Sequence, residues 1–350
     1  MIQHYIRRLV TVALLLALMV GSSLANKKDG RLDIYFIDVE GGACTLIVTP
    51  AGESMVIDSG YPDNNSRDRD RILKVTRDVA GLKHIDHAAV THWHLDHYGN
   101  HASLSTQIKI KNFWDRGIPD FLQEDAKFVD RIADYRSASQ NQSKALKAGD
   151  KVPLKSGKTP LTVDIVTSSR EVIPNTGKPN PFAKLHKPKP VDKSDNAASL
   201  SFLLKFGKFK FLCCGDLTWN IEAKLVTPNN PIGNIDMYMV THHGLANSNN
   251  PALVLALDPV VAVMCNGPTK GGTPSVQQTL RQVKSLKNLY QLHRNIKLKA
   301  DEQTPAEFIA NKALTEGCEG IWVKASIAAD GASYTVQIGP DGKQRTYQTR

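Results

Sequence analysis

Thr91-His92-Trp93-His94-Leu95-Asp96-His97-Tyr98-Gly99 packs three imidazoles and a carboxylate into six consecutive residues, His92 to His97. An apolar, strand-like segment, Ala88 to Val90, runs straight into it. Imidazole and carboxylate are ordinary ligands of zinc and similar divalent ions. In extended backbone, residues i and i+2 point the same way, so His92 and His94 can converge on one ion. Asp96 and His97 follow where the chain turns towards a helix and can reach a second position. Histidines scattered over a surface would not show this spacing behind a buried strand.

Working outward, other acidic and imidazole residues also stand at the ends of apolar strands. Asp58 closes Met55-Val56-Ile57-Asp58, Asp216 closes Leu212-Cys213-Cys214-Gly215-Asp216, and His242-His243-Gly244 follows Met237 to Thr241. A lone Asp after a strand is usually a turn residue. The recurrence of the pattern, with its order along the chain, is what points to one site on a rigid scaffold.

The H-x-H-x-D-H run resembles the signature of the metallo-β-lactamase-fold superfamily. The resemblance implies an α/β fold, the αββα four-layer sandwich. It implies Asp58 as the residue that orients the histidine loop, Asp216 as the carboxylate bridging two ions, and the His-His-Gly turn as the last ligand. Phe36-Ile37-Asp38-Val39-Glu40-Gly41-Gly42, Asn196-Ala197-Ala198-Ser199 and Gly272-Thr273-Pro274-Ser275 narrow it to the ComEC/Rec2-like branch, over roughly residues 32 to 300. Glu40, Leu245 and Thr273 depart from that branch, where glycine, serine and histidine are usual. No multi-helix membrane channel accompanies these motifs, so a DNA-uptake role does not carry over.

Many members of the superfamily supply a further histidine between the H-x-H-x-D-H run and the bridging aspartate. Here His101 is too close to the run, and His186 lies in a loose basic loop; Asn196 could occupy that space. The ligand set implied is His92, His94 and Asp216 on one ion, with Asp96, His97, His242 and Asp216 on the other. One or two ions, Zn2+ or Mn2+, both remain open. His242 is preferred over His243 as the ligand because it comes first after the strand. His243 would then face substrate, with Asn196, as acid or oxyanion donor, and Asp96 would hold or deprotonate the attacking water. The chemistry expected is metal-assisted hydrolysis. A phosphoester is the favoured substrate, as for a phosphodiesterase or nuclease. Esters, lactones or lactams come second, and a metal- or DNA-binding module without turnover is the third reading.

The bulk properties fit this. The 350-residue chain is 41% hydrophobic and 22% charged, as expected of a folded globular protein. Arg7-Arg8, an apolar run from Leu9 to Val20 and Ser23-Leu24-Ala25 read as a signal peptide over residues 1–25. The expected product is a periplasmic or secreted protein of one domain, 26–350, with no membrane span after cleavage. The net charge of +10 favours anionic partners. Its densest stretch, Lys184 to Lys193, is broken by Pro188 and Pro190 and reads as a solvated loop, so nucleic acid is only weakly indicated. Five cysteines without a CxxC pair suggest small buried side chains, not a disulfide framework. Ser66 is expected to cap a helix carrying Ile72, Val75 and Val79. Phe128, Ile132 and Tyr135 share a second helix face, and Pro274 opens a third. The C-terminal strands, at about 318–340, are expected at an edge of the second sheet.

Overall fold

The computed structural model describes residues 29–62 and 64–350, so the leader expected at 1–25 lies outside the described residues. Among the described residues, alternating and β-branched runs form two sheets of nine strands each, beside a short pairing of Lys178–Pro179 with Asn229–Asn230. In the first, the antiparallel strands Leu32–Phe36, Thr45–Val48 and Ser54–Ile57 lead into His84–Ala89 and Lys109–Asp115, which pair in parallel. In the second, Leu161–Ser168, Ser201–Phe206 and Phe209–Cys213 are antiparallel, and Met237–Met239, Val261–Met264 and Asn288–His293 continue in parallel.

Side chains on successive strand residues take opposite faces, and here both faces of each sheet are covered. Ile34, Phe36, Ile57 and Ala89 of the first sheet meet Phe202, Phe211, Met239 and Val263 of the second in one central core. On the outer face of the first sheet, Leu46 and Val56 pack with Ile72, Val75 and Leu104. On the outer face of the second, Leu212 and Tyr238 pack with Leu253, Val276 and Leu280. The layers run helix, sheet, sheet, helix, as the sequence predicts. Each fully buried Phe or Ile contributes roughly 1.5–3 kcal/mol, so this interface dominates stability.

The helices at Phe128–Ala138 and Pro274–Arg281 form as the apolar spacing predicts, burying Phe128, Ile132 and Tyr135, and Val276 and Leu280. Ser66 does not cap the helix Arg67–Leu73: it sits at φ 62 and its side chain makes no capping bond. An N-cap residue ordinarily has extended backbone, and the left-handed conformation here departs from it. The C-terminal hairpin also departs from expectation. Val323–Ile327 pairs antiparallel with Leu32–Phe36, Leu32 facing Ile327, so it extends the first sheet. Ser333–Ile338 and Arg345–Gln348 follow outward. The N-terminal strand otherwise leaves an unpaired edge, which this hairpin covers.

Four of the cysteines, Cys44, Cys213, Cys214 and Cys265, are buried and free, in keeping with a packing role. The stretch before Asn196 is mostly irregular. Its lysines 184, 187, 189 and 193 are exposed, but its backbone is pinned to the helix Trp219–Val226 through Trp219 and Asn220.

Candidate metal centre

Parallel pairing puts the ends of several strands at one rim of the sandwich. Asp58 follows Ser54–Ile57, the histidine loop follows His84–Ala89, Asp216 follows Phe209–Cys213, and His242 and His243 follow Met237–Met239. One glycine fixes how closely the halves approach. Gly215 has φ +54, and a Cβ on it would lie 2.7 Å from Thr91 Cβ. Only glycine lets the Asp216 turn lie against the histidine loop.

Alternation does what the sequence requires of the loop. Trp93 points away from the site, into an aromatic cluster with Tyr98, Phe128 and Tyr135, and its indole N–H donates to Gly117 O at 2.9 Å. That anchor leaves His92 and His94 on the opposite side. Asp58 ties the loop from below. Its carboxylate accepts from Thr91 N–H, Thr91 Oγ1 and His97 Nδ1, each at 2.8 Å.

Asp216 Oδ2 is the centre of the arrangement. The Nε2 atoms of His97, His242 and His243 each lie 3.3 Å from it, and His92 Nε2 lies at 4.0 Å. Asp96 Oδ2 stands 3.4 Å from His97 Nε2 and 3.3 Å from His243 Nε2. One ligand atom from each of Asp96, His97, Asp216 and His243 can be chosen so that all four lie within 4.8 Å of one another.

Each imidazole has its far nitrogen engaged. His97 Nδ1 donates to Asp58, His243 Nδ1 to Cys265 O at 2.9 Å, and His92 Nδ1 to Thr91 Oγ1 at 3.1 Å. Ser248 Oγ gives its hydrogen to Leu217 O at 2.7 Å, so it accepts from His242 Nδ1 at 3.0 Å. These bonds select the tautomer with a lone pair on Nε2, directed inward.

His94 is placed differently. It is half-buried, its ring edge-on to His92 with centroids 4.7 Å apart, and its Nε2 meets Glu124 Oε1 at 3.1 Å. The nitrogen left free for a ligand role is therefore Nδ1. His243 groups with Asp96, His97 and Asp216, while His242, the histidine expected as ligand, has its Nε2 equally close to Asp216 Oδ2, at 3.3 Å. Both histidines have positive φ, 55 and 54, which lets two consecutive side chains reach the same carboxylate. Asn196 is buried beside His242, Nδ2 to Nε2 at 3.5 Å, as its expected proximity requires. His101 bonds Ser59 at 2.7 Å and His186 bonds Asn250 at 2.8 Å, so neither joins the site.

Charge is heavily compensated. Burial opposes ionisation of Asp216, yet His242, His243 and His97 hold it well below the usual carboxylate range. Burial likewise opposes ionised Asp96, and His97 and His243 hold it low, with help from Lys270. Burial works against a charged His97, but Asp216, Asp96 and Asp58 outweigh it and lift its pKa well above the ordinary value. Burial pushes His92 well down and His242 down to about 4. Two buried carboxylates thus meet within a shell of imidazoles, an arrangement that calls for compensating positive charge. Among the described residues, His92 Nε2 and Asn196 Oδ1 are buried without a hydrogen-bond partner. An oxygen- and nitrogen-rich pocket with unspent lone pairs fits a divalent cation.

One residue of the rim was not foreseen. Lys270 Nζ lies 2.5 Å from Asp96 Oδ2 and 3.4 Å from the Tyr61 hydroxyl. It belongs to the Gly- and Pro-rich turn after Val261–Met264. Asp195, whose carboxylate accepts from Trp93 N–H at 2.6 Å and pairs with Arg116, was likewise silent in the sequence.

The sequence profile of the Metallo-beta-lactamase superfamily matches residues 37–267, which hold all of these ligand candidates. The chain belongs to the metallo-β-lactamase superfamily. A UPF0173 metal-dependent hydrolase of Herpetosiphon aurantiacus is 38% identical over 69 residues, 20% of this chain and 26% of that protein, so the match spans about a quarter of this curated relative. CmlA, a diiron beta-hydroxylase from Streptomyces venezuelae, aligns with 73% of this chain and 47% of its own, at 18% identity and a TM-score of 0.39. MEM-A1, a subclass B3 metallo-β-lactamase from a soil metagenome library, aligns with 72% of this chain and 82% of its own, at 15% identity and a TM-score of 0.39.

Proposed function

We propose that this superfamily member is an exported metal-dependent hydrolase acting on phosphodiesters, of the ComEC/Rec2-like branch. The observation that carries the reading is the convergence of three imidazole nitrogens on Asp216 Oδ2 at 3.3 Å, with Asp96 alongside. Zn2+ or Mn2+ is the ion proposed, held by Asp96, His97, Asp216 and His243. When bound, it lowers the pKa of a water from roughly 15.7 toward about 7 and offsets negative charge developing on the reacting oxygens.

The protein's own groups supply the rest. Asp96 has its carboxylate at the rim, where it can hold a water and take its proton. Asn196 sits where its amide can face a developing oxyanion. Lys270 brings a cation to the same rim, suited to a non-bridging phosphate oxygen. The net charge of +10 attracts anionic substrates over longer range. Export rests on the leader pattern at residues 1–25.

A substrate panel tests the reading. Protein supplied with Zn2+ or Mn2+ should hydrolyse bis-p-nitrophenyl phosphate, and chelation should abolish this. Turnover confined to esters, lactones or lactams would overturn the substrate. Bound metal without turnover on any of them would overturn the enzyme.

A further inference from the structure

We propose that Asp38, Glu40, His293 and Cys318 form a second cation site, separate from the Asp216 centre, which takes a thiol-seeking divalent ion such as Zn2+. The hydrolase reading and this site stand independently: either can fail without the other.

The four residues come from segments far apart in the chain. Asp38 and Glu40 follow the strand Leu32–Phe36, His293 ends Asn288–His293, and Cys318 lies between Ile309–Asn311 and Val323–Ile327. One ligand atom from each can be chosen so that all four lie within 4.8 Å of one another. Asp38 is the hub. Its Oδ1 lies 2.7 Å from His293 Nε2, and its Oδ2 accepts from Cys318 Sγ at 3.4 Å. Cys318 Sγ and His293 Nε2 are 3.9 Å apart. A tetrahedral zinc, with Zn–S about 2.3 Å and Zn–N or Zn–O about 2.0 Å, sets the S···N and S···O edges at roughly 3.5 Å. The two observed separations bracket that value. Only the Asp38–His293 contact must open, to roughly 3.3 Å, when an ion replaces the hydrogen between them.

A cysteine, a histidine and an aspartate in contact also describe a nucleophile with its base, and the pattern of contacts decides between the two. In such a triad the imidazole meets the nucleophile through one ring nitrogen and the carboxylate through the other. Here Asp38 and Cys318 both meet Nε2. The ring is fully buried, and its Nδ1 has no hydrogen-bond partner among the described residues. Convergence on one nitrogen is the geometry of ligands around an ion.

The surroundings hold the donors in place. Arg71 donates to Asp38 Oδ2 at 2.7 Å, to Glu40 Oε1 at 2.9 Å and to Cys318 O at 3.0 Å. Arg67 donates to Glu40 Oε2 at 2.7 Å. These two guanidinium groups offset the two carboxylates, so the thiolate and the imidazole set the preference for an ion. A thiolate selects zinc over magnesium or calcium, and its hydrogen leaves to solvent as the ion binds. Among the described residues Cys318 is the one cysteine that is not buried, so an ion can reach it. The loop beyond Glu40 also touches the other centre. Ala43 N–H donates to Asp96 O at 3.0 Å, and a Cβ on Gly267 would lie 2.6 Å from Glu40 O. An ion at Asp38 therefore braces the backbone behind Asp96 and the turn that carries Lys270.

Cobalt titration of the reduced full chain tests the site, because thiolate-to-cobalt charge transfer absorbs in the near ultraviolet and the Asp216 centre contains no thiol. The wild type should show this absorption, and Zn2+ should bleach it. Cys318→Ser should abolish it. His293→Gln should raise the cobalt needed for half-saturation by at least the roughly tenfold that loss of a supporting partner costs. Asp216→Asn should keep it, which separates this site from the other. A wild type without the absorption would overturn the proposal, as would a Cys318→Ser protein, folded by circular dichroism, that retains it. Labelling by an aromatic disulfide reagent gives a readout on the wild type alone: one cysteine should react, and Zn2+ should protect it. Equal labelling with and without Zn2+ would also overturn the site. A zinc-protected Cys318 in a protein that hydrolyses nothing would uphold this inference while removing the functional reading above.

Discussion

Asp58 Oδ2 lies 2.8 Å from Nδ1 of His97, so the ring that faces Asp216 is set by a carboxylate 39 residues earlier in the chain. The same carboxylate accepts from Thr91 N–H and Oγ1, and Asp58 itself sits at φ 61 with its N–H on Ala89 O at 2.8 Å. Both carboxylate oxygens are used to fix a ligand loop. Asp58→Asn would point an N–H at a donor or lose one acceptor. Such supporting partners typically govern metal affinity by roughly 10–100-fold. Competition with a chromophoric chelator should show a loss of that order; unchanged affinity would remove Asp58 from this role.

Lys270 gives a prediction about substrate. Its side chain pairs with Asp96 across 174 residues at 2.5 Å. A hydrogen bond to a charged group is worth about 1.5–3 kcal/mol, and about 1.4 kcal/mol is a factor of ten. Lys270→Met should therefore lower kcat/KM for bis-p-nitrophenyl phosphate at least about tenfold. Hydrolysis of a neutral ester should fall much less. An equal fall on both substrates would mean that Lys270 serves Asp96 and not the phosphate.

Much of this site was legible in the sequence because parallel strands end at a common rim. Asp58, the His92–His97 run, Asp216 and the His-His-Gly turn each follow an apolar strand, and tertiary pairing brings them together. Gly215 could be placed after a strand, but only the 2.7 Å approach to Thr91 shows why it has no side chain. That both His242 and His243 reach Asp216 Oδ2 was not legible, because strand alternation does not hold for two left-handed residues. Lys270 and Asp195 act through contacts between distant segments, which carry no local pattern. The C-terminal hairpin could be read as strands, but its partner was set by the free edge of Leu32–Phe36.

A second cluster, away from the Asp216 centre, predicts a pH effect on stability. His293 Nε2 lies 2.7 Å from Asp38 Oδ1, and Arg71 braces both Asp38 and Glu40. Burial opposes charge on His293, but the hydrogen bonds to Asp38 and Cys318 outweigh it and raise its pKa to about 9. An unfolded histidine titrates near about 6.5. The pair therefore contributes fully below about 6.5, and its contribution is lost as pH rises towards about 9. At about 1.4 kcal/mol per pKa unit, a few kcal/mol are at stake. Urea denaturation between pH 6 and pH 9.5 should show wild type losing more stability than His293→Gln. Parallel curves would contradict the pairing.

Anomalous diffraction from crystals grown with zinc tests the centre itself. A peak should lie within about 2.0–2.2 Å of Nε2 of His97 and His243 and of a carboxylate oxygen of Asp216, and it should vanish in Asp216→Ala. Zinc bound elsewhere, with Asp216 bare, would contradict the account.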